Sequence, residues 1–184
     1  MRKTFKFRLR PSRAQATSML RILEECRWVY NETLATRQHA WEERQESLGL
    51  YDTQALLPKW KKQRPSLKRA YSQVLQNVRV RVDLAFKAFF RRVKAGDEKV
   101  GYPRFRAYGR YDSFTYPQYP VGCKTDGDTL HLGQVGSVRF ICHRPMVGVI
   151  KTVTVRRDGL GKGWVALSVE TEPKPLPRLR RRSV

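Results

Sequence analysis

The feature that most constrains the fold is one alternating stretch at the start of the chain. Thr4–Leu9 (TFKFRL) alternates apolar and polar residues, the period of a half-buried β-strand, and Pro11 ends it. Every other strand-like stretch comes after a long region of helical pattern. Because a strand needs a partner for its backbone hydrogen bonds, we expect this first strand to pair with the late ones.

Three helices are predicted between the first strand and the later ones. Ser12 and Gln15 fit a capping box at the start of the first helix, whose apolar residues then recur at three- and four-residue intervals. A short second helix is expected within 51–62. A third begins near Ser72, whose hydroxyl is the expected cap, and ends at Gly96.

Short alternating runs between residues 113 and 170 predict the remaining strands: SFTY, TLHL, SVRFIC, IKTVTVRR and WVALSVE. Asp126-Gly127 and Asp158-Gly159 are typical of hairpin turns. The predicted fold class is α+β, a small β-barrel of one N-terminal strand plus about five later strands with an inserted three-helix lobe. The expected organisation is the first strand in 1–10, the helical lobe in 11–98, the rest of the barrel in 99–172, and a Pro/Arg-rich tail in 173–184.

The charge of the chain points to a polyanionic partner. Lys and Arg number 38 against 16 Asp and Glu, a formal net charge of +22. The basic residues are spread over helices, loops and strands, and no apolar run is long enough to span a bilayer, so nucleic acid is favoured over membrane. Three widely separated cysteines and the lack of a secretory leader favour a cytoplasmic protein, associated with a prokaryotic nucleoid.

The stretch Val100–Pro117 (VGYPRFRAYGRYDSFTYP) interleaves aromatic rings with arginines. Aromatic rings stack on bases and arginines contact phosphates, so this pattern favours nucleic-acid binding. The alternative is that some rings, Phe105 and Phe114 first among them, only anchor the segment to the barrel. The residues expected to contact backbone or bases are Tyr102, Arg104, Arg106, Tyr108 and Arg110.

Two helical positions add to this set. In CRWVYN of the first helix, Arg27 and Asn31 lie four residues apart on one face, where they are able to hold a phosphate, a base edge or another part of the protein. Spacing alone slightly favours a hydrogen bond to another helix. In the third helix, Arg79 belongs to a basic face with few acidic partners, which favours a surface that follows a nucleic-acid backbone over a merely solvated one.

The sequence offers no catalytic site. Its carboxylates fall in turns and on helix faces, and its histidines lack a cysteine or carboxylate at zinc-site spacing. Asp126 and Asp128 fit a hairpin turn better than a metal site. No catalytic residue, metal ligand or cofactor is therefore predicted.

Seven stretches in this order resemble the N-terminal half of TnpB-type proteins, the transposon-encoded RNA-guided DNA nucleases: KFRLRPSRAQ, CRWVYN, SQVLQN, AFKAFFRR, VGYPRFR, SFTY and VTVRRDGLGKGWVALSVE. The resemblance implies a wedge-type barrel with a helical recognition lobe that binds a guide-type noncoding RNA and double-stranded target DNA. It also implies that a short motif flanking the target is read by Tyr51, Ser72, Gln76 and Thr115. Gln76 is the best candidate because Gln bonds adenine bidentately, and an ordinary exposed helix residue is the alternative.

In that family a RuvC-like nuclease domain follows the barrel, and no residue of its metal site is found in this sequence. The expected function is therefore nucleic-acid binding by a TnpB-like, transposon-associated protein without an enzyme activity of its own. Two alternatives remain. The chain is one half of a split endonuclease whose nuclease domain is encoded separately, or it is a transposon-derived DNA-binding repressor.

Overall fold

The first strand lies at the centre of a seven-stranded sheet in the computed structural model, which describes residues 1–172. The strands are β1 (Arg2–Arg10), β2 (Ser113–Tyr116), β3 (Cys123–Asp126), β4 (Thr129–Leu132), β5 (Gly136–Ile141), β6 (Val149–Arg157) and β7 (Gly163–Glu170). Their order is β2-β6-β7-β1-β5-β4-β3, with every pair antiparallel. The expectation that β1 pairs with late strands is confirmed, with β7 on one side and β5 on the other.

The two edge strands approach each other, so that the sheet nearly closes into a barrel. The Tyr116 hydroxyl at the end of β2 donates to the Gly133 carbonyl just beyond β4, at 3.0 Å. The Tyr119 hydroxyl reaches Thr125 of β3, also at 3.0 Å. Closure turns one face of each strand inward, where side chains such as Phe7 and Leu167 are fully buried. The predicted α+β fold with a small barrel is thereby confirmed.

The barrel has six late strands where the sequence predicted about five. The missed strand is β3, whose four residues, CKTD, carry too little apolar alternation to be recognised. It is held by a hairpin with β4 in which Asp126 pairs with Thr129 across a turn at Gly127 and Asp128. Gly127 has a φ of 55°, a conformation that glycine adopts without steric cost.

The helices are α1 (Arg13–Arg44), α2 (Leu50–Gln54), α3 (Leu56–Gln63), a 3-10 helix (Pro65–Arg69) and α4 (Ser72–Ala95). The Ser12–Gln15 capping box is confirmed at the start of α1, and Gly96 ends α4 in the left-handed conformation. The predicted second helix is divided in two at Ala55. Ser72 was wrongly predicted as a cap. Tyr71 is the N-cap of α4, and the Ser72 hydroxyl instead accepts a hydrogen bond from Lys61.

Helices and barrel share one hydrophobic core. α1 packs along α4, and both contact β2 at the edge of the sheet. The core runs without a break from Val29 and Val82 of the helices to Phe114 of β2 and Val165 of β7. No helix within residues 1–172 is both long and apolar enough to cross a bilayer. The predicted tail, 173–184, lies outside the described residues.

Candidate nucleic-acid interface

Residues 97–112, which we call the connecting loop, join α4 to β2 without regular secondary structure. The loop is anchored to the helices at three places. At the first, Arg92 of α4 donates to the carbonyl of Gly101 at 3.1 Å. The ring of Tyr102 then packs edge-on against Phe86 and Phe89, with centroids 5.6 and 5.2 Å away. The start of the loop is therefore fixed along α4.

The second anchor is the peptide group of Arg106. The side chain of Asn31 donates to its carbonyl at 3.0 Å and accepts from its N–H at 2.8 Å, while Arg27 donates to the same carbonyl at 3.0 Å. Arg27 is itself held by the carboxylate of Glu24, and this hydrogen bond raises the pKa of the guanidinium. Arg27 and Asn31 thus act together, as their spacing suggested, but on the connecting loop rather than on another helix.

The third anchor is Tyr111, whose side chain is only 7% exposed and lies against Tyr30 of α1. Burial raises the pKa of the Tyr111 phenol well above its usual range. Arg81 of α4 spans this end of the loop. Its Nη1 donates to the Ser113 carbonyl at 2.9 Å, and its Nη2 donates to the Thr115 hydroxyl at 2.8 Å.

These anchors divide the six rings of the segment into two sets. Tyr111, Phe114 and Tyr116 are buried, while Tyr102, Phe105 and Tyr108 remain 41%, 53% and 83% exposed, respectively. Phe114 is therefore confirmed as an anchor, and the same interpretation of Phe105 is wrong. Between the anchors, Arg104 and Arg110 are exposed and form no side-chain bond within residues 1–172.

A polar cleft of about 310 Å³ opens between the connecting loop and the helices. Arg81, Arg106 and Arg110 line it, together with the rings of Tyr30 and Tyr111. None of the three guanidiniums is paired with a carboxylate of the described residues. Asp112, also at its wall, is engaged by Arg156 at 2.9 Å. The cleft is therefore a concentration of uncompensated positive charge beside aromatic rings.

Basic side chains and a tryptophan ring also lie on the outer face of the barrel. Trp164 of β7 lies directly across from Arg8 on β1 and from Arg156 on β6. We call these three residues the Trp164 row. The guanidinium of Arg8 lies 5.3 Å from the ring centroid, and the Lys6 ammonium lies 4.4 Å from it. Sequence reasoning missed this row because its members belong to three strands and meet only through the sheet register.

Four residues were expected to read a flanking motif, and their surroundings differ. Tyr51 on α2 is 84% exposed, and Gln76 on α4 is also exposed. Ser72, one turn before Gln76, is exposed but its hydroxyl is engaged by Lys61. Thr115 bonds within the protein, to Arg81 and to Thr154. Tyr51 and Gln76 therefore have the freest side chains of the four.

One member of the predicted basic face of α4 lies in the interior, whereas Lys87 and Arg91 are exposed. Arg79 is only 3% exposed, which removes it as an expected contact for a nucleic-acid backbone. Burial lowers the pKa of its guanidinium, whose Nε and Nη1 have no partner within residues 1–172. Three elements, α1, α2 and β2, pack against α4, and Arg79 lies on the packed side of the helix with Val78 and Val82.

Comparison with known proteins gives two kinds of match. A model of the IS605 OrfB helix-turn-helix domain matches residues 1–46. The chain is 33% identical over 172 residues to the "Putative RNA-guided DNA endonuclease InsQ" of Escherichia coli, covering 91% of this chain and 40% of that protein. It is 28% identical to the "Putative RNA-guided DNA endonuclease" of Streptomyces pristinaespiralis, covering 96% of this chain and 44% of that one. The chain is thus similar to TnpB-type proteins over most of its own length.

The chain spans about two fifths of the length of the curated relatives it matches. Its residues 1–46 do not contain the two helices that the name of the matched domain describes. They form β1 followed by α1, a single helix of 32 residues. These residues therefore contain no recognition helix placed by a tight turn, and the candidate interface follows from the exposed cations and rings instead. Residues 1–172 contain no group of three His, Cys, Asp or Glu arranged to hold a metal ion.

Proposed function

We propose that residues 1–172 bind nucleic acid through the exposed part of the connecting loop and the Trp164 row. The observation that carries this proposal is how the loop is held. Its anchors are mostly backbone groups and buried rings, so the side chains of Arg104, Phe105, Tyr108 and Arg110 are left outward and unpaired. Rigid presentation of cations and rings lowers the ordering cost of binding a flexible strand.

Both parts of the surface suit a phosphodiester chain. Exposed rings stack on bases of any sequence, at about 1–3 kcal/mol per base. Arg104 and Arg110 of the loop and Arg8 of the row have no carboxylate partner within residues 1–172, and such guanidiniums release counterions from the nucleic acid when they bind phosphates. Asp112 and its partner Arg156 link the end of the connecting loop to the Trp164 row, so one strand is able to follow the whole path.

The matched relatives suggest which nucleic acids are bound. Their names describe RNA-guided DNA endonucleases. We propose that this transposon-associated chain binds a guide-type noncoding RNA and double-stranded target DNA, and that it acts on the prokaryotic nucleoid. Gln76 and Tyr51, exposed on neighbouring helices, are the proposed readers of a flanking motif.

The test measures affinity for single-stranded RNA and duplex DNA as a function of salt. Tyr108→Ala is expected to weaken binding to single strands about 5- to 150-fold, the equivalent of one stacked base. Arg104→Ala should reduce the magnitude of the logarithmic salt slope for single strands by about 0.7. Arg69→Ala is the matched control, since Arg69 is an exposed arginine of the 3-10 helix, away from the loop. A salt-independent affinity, or equal effects of Arg104→Ala and Arg69→Ala, would refute the proposal.

Gln76→Ala tests motif reading separately. It should reduce the preference among flanking sequences while leaving the salt slope unchanged, because a base contact carries sequence information and a phosphate contact does not.

We also predict that the chain by itself has no nuclease activity. Incubation of duplex DNA with the chain and Mg²⁺ is expected to give no cleavage, and cleavage would overturn that expectation. Cleavage restored only by a separately encoded domain would identify a split endonuclease, and binding to its own promoter without RNA a repressor.

A further inference from the structure

We infer that the cleft between the connecting loop and α4 holds one unstacked nucleotide of a single-stranded nucleic acid. This inference rests on the proposed function and assigns a specific ligand to one part of the surface. The phosphate would lie against Arg106 and Arg110, and the base would enter the cleft beside Tyr30 and Tyr111.

The volume of the cleft and the small side chain of Ala85 in its lining suit a nucleotide. Its volume, about 310 Å³, lies at the lower end of the range for small-ligand sites, about 300–1,000 Å³. Ala85 of α4 forms part of the lining, and its single methyl group leaves the space open. The walls belong to the anchored loop and to two long helices, so the opening exists before a ligand arrives.

The charges of the cleft select an anion. Arg81 is oriented by hydrogen bonds to Ser113 and Thr115, and it has no carboxylate partner within residues 1–172. Arg106 lies over the Tyr30 ring, with its guanidinium carbon 5.5 Å from the ring centroid, and Arg110 is unpaired. The one carboxylate at the wall, Asp112, is neutralised by Arg156. A phosphodiester would therefore meet three positive charges with little opposing field.

The shape and the stacking surfaces favour a single strand over a duplex. A base is accessible for stacking on a tyrosine ring or a guanidinium plane only when it is splayed out of its own stack, as in loops, bulges and ends. The exposed guanidinium of Arg106, which lies over the buried ring of Tyr30, offers such a surface at the edge of the cleft. Single-stranded RNA and single-stranded DNA share this chemistry, and the experiment separates them.

The test blocks the cleft without changing its charge. In Ala85→Leu, the larger side chain occupies the space for the base, and affinity for single-stranded RNA and DNA oligonucleotides should fall about 5- to 150-fold. Affinity for duplex DNA should stay within about twofold. Ala95→Leu is the matched control, since Ala95 is exposed at the end of α4. A larger loss for RNA than for DNA would identify an RNA strand as the occupant, and the reverse a DNA strand.

A second comparison covers the case in which Ala85→Leu does not fold. Arg110 and Arg104 are both exposed arginines of the connecting loop, but only Arg110 lines the cleft. Arg110→Ala should weaken single-strand binding at least fivefold more than Arg104→Ala, and equal losses would overturn the inference. If the unmodified protein binds nucleic acid with a steep salt dependence while Ala85→Leu binds like Ala95→Leu, the inference fails and the proposed function stands. If the unmodified protein binds no nucleic acid, both fail.

Discussion

The second anchor of the connecting loop, at the peptide group of Arg106, can be weakened by one substitution, Asn31→Ala. The change removes two hydrogen bonds, one donated to the carbonyl and one accepted from the N–H, at 3.0 and 2.8 Å. A hydrogen bond of this kind contributes about 0.5–1.5 kcal/mol net. Because Arg27 still donates to the same carbonyl, we expect a loss in the lower part of the summed range, about 1–2 kcal/mol.

This loss should appear as local opening of the connecting loop rather than as global unfolding. An opening free energy lower by about 1–2 kcal/mol raises the open population about 5- to 30-fold. Amide hydrogen exchange measures that population directly. The Arg106 amide should therefore exchange about 5- to 30-fold faster in Asn31→Ala, while amides in the middle of β7 keep their rates. Affinity for single-stranded oligonucleotides should fall as well, because the loop then has to be ordered on binding.

Asn77→Ala is the matched control, since Asn77 lies within α4 and its side chain forms no hydrogen bond within residues 1–172. It should leave the exchange of the Arg106 amide unchanged. Two results would refute the reasoning. An unchanged exchange rate of the Arg106 amide in Asn31→Ala would mean that the second anchor adds nothing to the order of the loop. Faster exchange of all amides to the same degree would mean that Asn31 supports the global fold instead.

Two further predictions concern a turn and the thiols. Gly122 and Gly161 have φ values of 77° and 76°, but only at Gly122 would an added Cβ lie 2.5 Å from the Tyr71 ring. Gly122→Ala should therefore lose about 1–3 kcal/mol more in urea unfolding than Gly161→Ala, and equal losses would contradict the contact. Burial raises the pKa of Cys26 to about 12 because it disfavours the thiolate, whereas Cys142 is exposed. A thiol reagent at pH 8 should label Cys142 in the folded protein and Cys26 only after unfolding, and labelling of both at one rate would contradict the assigned burial.

Much of the fold was predictable because its signals are local. The Ser12–Gln15 capping box, the turn at Gly127 and the alternation of Thr4–Leu9 each depend on a few neighbouring residues, and all three are confirmed. The strand β3 escaped detection because its pairing with β4, not its own composition, makes it a strand.

The candidate site was predictable in composition and not in arrangement. The sequence indicated that the stretch around Arg104 is rich in rings and cations, and that stretch is indeed exposed in part. It did not indicate that Arg79 would be buried, or that Trp164 would lie between two cations of other strands. Both outcomes depend on packing between residues far apart in the chain.

The sequence by itself determined the order of elements, the excess of positive charge and the residues available for contact with a polyanion, since these follow from composition and local periodicity. Only the tertiary structure decided which of those residues face outward. Asn31 and Arg27 are turned to the connecting loop, where the peptide group of Arg106 satisfies their hydrogen-bonding groups. Arg110 stays free for a ligand because its side chain has no partner within residues 1–172. The physical reason is that a polar side chain within reach of a peptide group bonds to it, and whether one is within reach depends on how distant segments pack.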